Sequence, residues 1–185
     1  MNFRLFNDIH GLAGNGAADT VMKLCAKDLL YVLVVLLGLL LLQRWRTAGF
    51  SSAFCTGLWC AGGLLLSFLL GVAAAAAHRE PRPFTTHPRV HPLVAHDAGQ
   101  SFPSDHTTAA VAIALVILLF LSRAIGAAAL VAAALVGFSR VYIGVHYPGD
   151  ILASLVVALV GVGSVALVHA RQAHAGAHPA NGLPA

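Results

Sequence analysis

The chain has 185 residues, of which 58% are hydrophobic and only 10% are charged. A water-soluble domain carries roughly 25% charged residues, so this composition excludes an ordinary soluble protein. The net charge is +4, but the basic residues stand singly or in pairs between apolar stretches. They form no stripe that could follow a phosphate backbone, and nucleic acid is therefore not expected as a partner.

Five stretches without a charged residue indicate a membrane protein. They comprise residues 29–42, 53–77, 107–121, 124–139 and 151–168. A helix needs about 20 apolar residues to cross a bilayer, or about 17 when its ends snorkel. The sequence therefore predicts an all-α, polytopic membrane helical bundle with about five transmembrane helices. We expect one integral-membrane domain over residues 1–168 and a disordered tail, rich in Ala, Gly, His and Pro, over residues 169–185.

The segment before the first span carries Asp8, Asp19 and Asp28 and is not expected to be a cleavable signal peptide. Residues 2–10 mix apolar and polar side chains, which predicts a short interfacial helix. Asp19 or Thr20 is expected to cap a helix that continues into the first span.

A long loop is predicted between the second and third spans. Residues 78–106 contain five prolines, at positions 81, 83, 88, 92 and 103, and proline at that density prevents a regular helix. The next two spans form a hairpin that returns the chain to the side it left. We therefore expect residues 140–150 to lie on the same face as the long loop. Within the last span, Gly161 and Gly163 are expected to allow close helix packing.

Three polar clusters lie on that face. They are Arg-Glu-Pro-Arg-Pro-Phe at 79–84, Ser-Phe-Pro-Ser-Asp-His at 101–106, and Ser139-Arg140 followed by His146 and Asp150. In this order they resemble the signature of the type 2 phosphatidic acid phosphatase superfamily. The resemblance implies a PAP2/haloperoxidase-like helical fold and phosphoryl transfer.

The residue types fit this chemistry independently of the resemblance. Arg82 and Arg140 can supply planar, bidentate donors to a phosphate. Ser104, with the backbone N–H groups of the following helix start, can complete an anion cradle. Because acidic residues are few and scattered, we predict no metal and no cofactor.

Two histidines are predicted to divide the catalytic work. His146, with Asp150 holding its second ring nitrogen, is suited to attack phosphorus and form a phosphohistidine. His106 would protonate the leaving oxygen and then activate water. These roles agree with those that the resemblance implies. Six further histidines are expected to have no catalytic role; they are at positions 87, 91, 96, 169, 174 and 178.

The chain departs from the superfamily pattern at two positions. The Lys expected seven residues before Arg82 is Ala75, and Arg79 is the first candidate and His78 the second to replace this phosphate-binding cation. Asp105 stands where the broad superfamily has Gly. Pro-Ser-Asp-His and Glu-Pro-Arg-Pro-Phe look like the bacterial undecaprenyl-diphosphate phosphatases of the bacitracin-resistance type. This implies hydrolysis of undecaprenyl diphosphate, which recycles the lipid carrier of peptidoglycan and cell-wall biogenesis.

Other functions stay open at this point. They are hydrolysis of phosphatidylglycerophosphate or phosphatidate, and non-catalytic binding of lipid phosphates. A haem-binding bundle or a proton-coupled carrier is disfavoured because no apolar stretch contains a histidine or a charged residue. The resemblance implies a bacterial plasma membrane protein whose site faces the extracytoplasmic side. The positive-inside rule favours the opposite orientation, and the basic residues on the two sides are nearly balanced once the binding-site cations are excluded. The sequence makes no prediction about the oligomeric state.

Overall fold

The computed structural model describes residues 2–176, which form helices and connecting loops. The helices are α1 (Asn2–His10), α2 (Gly16–Lys27), α3 (Leu29–Ala48), α4 (Phe50–Ala77), α5 (Pro83–Thr86), α6 (Asp105–Val116), α7 (Arg123–Tyr142) and α8 (Pro148–Gly176). A π-helical segment, Ile117–Leu121, continues α6. The predicted all-α architecture and the separate helix at Asn2–His10 are confirmed.

Four helices, α3, α4, α7 and α8, are long and apolar enough to cross a membrane. The fifth apolar helix, Asp105–Leu121, is shorter and lies at the centre of the bundle, packed against the other four. Nearly all of α6 from Thr107 to Val116 is buried. A helix that is apolar on every side and buried on every side belongs to a core. The other four helices expose large apolar side chains, such as Phe68 at 63% and Leu152 at 64%, which suits contact with lipid.

Glycine allows close contact between α4 and α8. A Cβ added to Gly161 would lie 2.7 Å from both N and Cα of Ser67. The same addition at Gly163 would meet nothing within 4 Å. The predicted packing role is therefore confirmed for Gly161 and wrong for Gly163, which lies on an open face of α8.

Two predicted helix boundaries are wrong. The N-cap of α2 is Asn15, whose side chain accepts hydrogen bonds from the N–H groups of Ala17 and Ala18, and not Asp19 or Thr20. Asn15 precedes Asp19 and Thr20 in the chain, and it therefore accepts hydrogen bonds from the first free N–H groups of the helix. Asp19 instead accepts a hydrogen bond from the Tyr142 hydroxyl at 2.8 Å. A one-residue interruption at Asp28 also separates α2 from α3.

The last helix is longer than predicted. It continues to Gly176, so residues 169–176 of the predicted tail are helical. Their Ala, Arg and Gln residues are strong helix formers, and they extend the helix beyond the apolar stretch. Residues 177–185 of the predicted tail, including His178, lie outside the described residues.

The long loop meets the turn between α7 and α8, as predicted. The Leu93 N–H donates to the Ile143 carbonyl at 3.0 Å. Nη1 of Arg82 donates to the Val145 carbonyl at 3.1 Å. Residues more than 45 positions apart in sequence are thereby joined at one end of the bundle.

Candidate active site

A sharp turn after α7 brings His146 back over the end of the bundle. The turn passes through Gly144, whose φ of +85° is in the left-handed region that favours glycine. A Cβ at this position would also lie 2.9 Å from the His10 ring. Pro148 then begins α8, and this places Asp150 in the first turn, where a helix dipole favours a carboxylate.

His146 is 2% exposed, and both of its ring nitrogens are engaged. Nε2 lies 3.4 Å from Nη1 of Arg82 and 3.4 Å from Nη2 of Arg140. Nδ1 lies 3.3 Å from Oδ2 of Asp150. Arginine can only donate, so Nε2 carries the lone pair and Nδ1 donates its proton to Asp150. The nucleophilic nitrogen therefore faces the two arginines.

Asp150 holds this tautomer in place. The carboxylate is fully buried, and its Oδ2 also accepts hydrogen bonds from the Tyr147 N–H at 2.8 Å and from the Ser101 hydroxyl. Several donors on one oxygen fix both the carboxylate and the imidazole bonded to it. Burial lowers the pKa of His146 from its ordinary value, and the hydrogen bond to Asp150 opposes this shift. The imidazole is therefore neutral at neutral pH.

Arg82 and Arg140 carry buried charges without an ionic partner. Their exposed fractions are 9% and 3%, and within residues 2–176 no carboxylate oxygen lies within 4 Å of either guanidinium. Nε of each is buried and lacks a hydrogen-bond partner in the same range. Burial lowers the pKa of Arg82 below its ordinary value. Because an unpaired buried cation is costly, this pair indicates a site for an anion.

Ser104 is first of all a helix cap. It is fully buried, and its hydroxyl oxygen accepts hydrogen bonds from the Thr107 N–H and, at 3.0 Å, from the Thr107 hydroxyl. Its own N–H donates to the Ser154 hydroxyl oxygen at 2.9 Å, and Ser154 in turn donates to the Asp150 carbonyl at 2.7 Å. The Ser104 hydroxyl proton has no acceptor among the described residues and can be donated to a phosphate.

His106 follows in the first turn of α6 and is partly buried. It lies near enough to Arg140 and Arg82 for their charges to act on its imidazole. The imidazole makes no hydrogen bond to the rest of the described chain. Its ring is thus free to exchange a proton with a bound substrate.

Arg79 is not brought into this cluster. The side chain is exposed, and in the part of the chain that the structure describes it has neither an ion pair nor a side-chain hydrogen bond. It follows the end of α4 at Ala77, three residues before the buried Arg82. The structure therefore gives no support to Arg79 as the replacement for the Lys expected at position 75.

Three residues without a predicted role contact the site. The Ser101 hydroxyl donates a hydrogen bond to Asp150. The Ser154 hydroxyl accepts a hydrogen bond from the Ser104 N–H and donates one to the Asp150 carbonyl. Nε2 of His96 lies 2.9 Å from Nη2 of Arg140. Ser154 stands four residues after Asp150, so helical spacing could have placed it on the same face. Spacing gives no such signal for His96, because a proline-rich loop has no fixed period.

The sequence profile of the PAP2 superfamily matches residues 56–173. The chain belongs to the PAP2 superfamily. Among curated relatives, undecaprenyl-diphosphatase BcrC of Bacillus subtilis is 38% identical over 164 residues, which cover 86% of this chain and 80% of that protein. The putative undecaprenyl-diphosphatase YbjG of Escherichia coli is 37% identical over 79 residues, covering 43% of this chain and 40% of its own.

Two solved structures share the fold. The LpxE structure of Aquifex aeolicus has a TM-score of 0.72 at 26% identity, covering 90% of this chain and 94% of its own. The PAP2 type phosphatidylglycerolphosphate phosphatase of B. subtilis has a TM-score of 0.64 at 24% identity, covering 90% and 84%. The second likeness bears on the fold alone.

Proposed function

We propose that this membrane protein hydrolyses undecaprenyl diphosphate to undecaprenyl phosphate and inorganic phosphate. One observation carries the chemistry: two buried guanidinium groups, which have no carboxylate partner within residues 2–176, face the lone pair of a buried histidine. The identity to an undecaprenyl-diphosphatase over most of the chain supports the substrate.

The first step is attack of His146 Nε2 on the terminal phosphorus. The N–P bond forms while the bridging P–O bond breaks, and undecaprenyl phosphate leaves with a proton from His106. Arg82 and Arg140 stabilise the equatorial oxygens, where charge is concentrated in phosphoryl transfer. A lipid phosphate is a much better leaving group than an alkoxide, so this step makes little demand on His106.

The second step returns the enzyme to its starting state. His106, now neutral, removes a proton from water as the water oxygen attacks the phosphohistidine. The N–P bond breaks, inorganic phosphate leaves, and Nε2 regains its lone pair. Nδ1 of His146 stays protonated throughout and donates its hydrogen bond to Asp150. The carboxylate thereby stabilises the positive imidazole ring in the intermediate.

The two arginines supply the positive charge that many phosphatases obtain from a metal ion, so we propose a metal-independent reaction. Within residues 2–176 no group of three or more His, Cys, Asp and Glu side chains is arranged to hold a metal ion. Chelation of divalent cations is therefore expected to leave the rate unchanged.

The lipid tail has an apolar path beside the site. A groove of about 270 Å³ lies between α4 and α6, and it is lined by Phe68, Val72, Ile113 and, at its polar end, Asp105. Asp105 directly precedes His106. We propose that the first isoprene units occupy this groove while the rest of the tail stays in lipid.

We place the active site on the extracytoplasmic side of the plasma membrane, where the resemblance to undecaprenyl-diphosphate phosphatases puts it. Reporter fusions test this orientation. A periplasm-dependent phosphatase fused after Thr86 is expected to be active, and the same fusion after Ser122 inactive. The reverse pattern would contradict the orientation and leave the chemistry untouched.

The function is tested by phosphate release in detergent with EDTA present. Wild type is compared with His146→Ala on undecaprenyl diphosphate, and parallel reactions contain phosphatidate or phosphatidylglycerophosphate. We expect release by wild type alone, with the diphosphate preferred. Faster turnover of a phospholipid would replace the substrate, whereas activity in the variant or loss of activity with EDTA would contradict the mechanism.

A further inference from the structure

Among the described residues, His96 accepts the shortest hydrogen bond that the Arg140 guanidinium makes. It lies in the long loop, outside the three sequence clusters, yet its Nε2 is 2.9 Å from Nη2 of Arg140. The other two contacts of this guanidinium, to the Ala26 carbonyl and to Nε2 of His146, are both 3.4 Å long.

The contact fixes the protonation state of His96. Arginine has no acceptor, so Nε2 of His96 must carry a lone pair and Nδ1 the proton. A protonated His96 would lose this bond and place two cations side by side. Burial, together with the charges of Arg82 and Arg140, lowers the pKa of His96 from its ordinary 6.5, which favours the neutral form at neutral pH.

Without His96, Arg140 would turn toward the nucleophile. Nη2 would keep one acceptor, Nε2 of His146, which must be free of donors when it attacks phosphorus. With His96 in place, one of the two Nη2 protons is held in a shorter hydrogen bond, which limits how far the guanidinium can turn. The guanidinium then stays beside His146 with only a long, 3.4 Å contact to its lone pair, and its unpartnered Nε can bind phosphate.

We propose that His96 is a positioning residue, which accepts a hydrogen bond from Arg140 and holds its guanidinium in the orientation that binds the transferring phosphate. This inference rests on the proposed phosphoryl transfer at His146. It assigns His96 no contact with the reacting atoms, and its effect is exerted through Arg140.

The test compares His96→Leu, which removes the acceptor, with His96→Gln, whose side-chain carbonyl oxygen can accept at a similar reach. His91→Leu is the matched control, because His91 is an exposed histidine of the same loop. Loss of one hydrogen bond to a charged group costs roughly tenfold or more, so we expect kcat of His96→Leu to fall about tenfold, with KM changed less than about threefold. His96→Gln is expected to recover most of this loss, and His91→Leu to match wild type.

A double-mutant cycle separates positioning from a structural role in the loop. Because His96 acts through Arg140, His96→Leu is expected to cost less than about twofold in an Arg140→Lys background. Equal losses in both backgrounds, or no loss in His96→Leu, would overturn the proposal.

A binding measurement keeps this result separate from the fate of the proposed function. Orthovanadate, a phosphate analogue, is titrated against each protein by thermal shift. We expect weaker binding by His96→Leu than by wild type, with His96→Gln between them. Binding by wild type without turnover of the diphosphate would contradict the proposed substrate, and equal binding by all three proteins would overturn the role of His96.

Discussion

At the scale of single residues, the site is organised around the two nitrogens of His146. One nitrogen is bonded to a carboxylate that several donors fix, and the other faces two arginines. The polar contacts therefore select one tautomer before substrate binds. A histidine prepared in this way attacks with its neutral form, which makes the reaction sensitive to acid.

The acid limb of the pH profile tests this assignment. Burial lowers the pKa of His146 below the ordinary 6.5, so activity is expected to fall only below that pH, as the nucleophile becomes protonated. Asp150 opposes this shift, so Asp150→Asn should move the limb of kcat/KM to lower pH while reducing the rate. The same substrate is used for both proteins, which cancels its own ionisation. A limb that stays in place or moves to higher pH in the variant would contradict the assignment.

Ser101 provides a second test at this scale. Its hydroxyl donates to the Asp150 oxygen that also holds His146, so Ser101→Ala should loosen the carboxylate and lower kcat by about tenfold. Ser51→Ala, an exposed serine at the other end of the bundle, is the matched control and should retain the wild-type rate. A wild-type rate in Ser101→Ala would show that the carboxylate is held without it.

Residues with a fixed spacing could be predicted from the sequence, whereas those placed by loops could not. His146 stands only four residues before Asp150, in the turn that leads into α8, and this short separation made their contact predictable. Arg79 and His96 lie in a segment without a repeating pattern. In this segment the exposed Arg79 stands only three positions before the buried Arg82. The sequence therefore predicts Arg79 in the site and gives no signal for His96, whereas in the structure Arg79 is exposed and His96 contacts Arg140.

At the scale of elements, apolar stretches predicted the helices and polar residues set their ends. The five charge-free stretches all correspond to helices, because apolar side chains are stable either in lipid or in the core. The ends were less accurate. Asn15, and not a later residue, caps the start of α2. Good helix formers extend α8 beyond its apolar part.

The contact between α4 and α8 gives a matched pair of variants. Gly161→Ala would force a Cβ against the Ser67 backbone, and overpacking of this kind typically costs about 1–3 kcal/mol. Gly163→Ala meets open space on the same helix and should be neutral or slightly stabilising, since alanine favours a helix. Thermal unfolding in detergent measures both. Equal midpoints for the two variants would contradict the close packing.

At the scale of the whole molecule, the bundle carries its buried charge imbalance at one end. Two buried guanidiniums meet one buried carboxylate, and that carboxylate is bonded to His146 instead of to the arginines. A protein that buries unpaired cations loses stability, and an anion that pairs with them restores it. Phosphate binding and stability are therefore expected to be linked.

Orthovanadate measures this linkage. At a concentration 100 times its dissociation constant a ligand adds about 2.7 kcal/mol of stability, so a higher unfolding temperature is expected for wild type. Arg82→Ala should lose most of this increase. Arg89→Ala removes an exposed arginine from the same loop and should keep it. An equal increase in all three proteins would place the anion elsewhere.

The most direct test of the account is the detection of phosphate on His146 during turnover. Undecaprenyl diphosphate labelled in its terminal phosphate is mixed with wild type, His146→Ala and His106→Ala, and the reaction is quenched in alkali. We predict that His106→Ala accumulates alkali-stable label on the peptide containing His146, because diphosphate cleavage needs little acid catalysis whereas hydrolysis of the intermediate needs a base. Turnover without label on any protein, or label on a residue other than His146, would contradict the phosphohistidine mechanism.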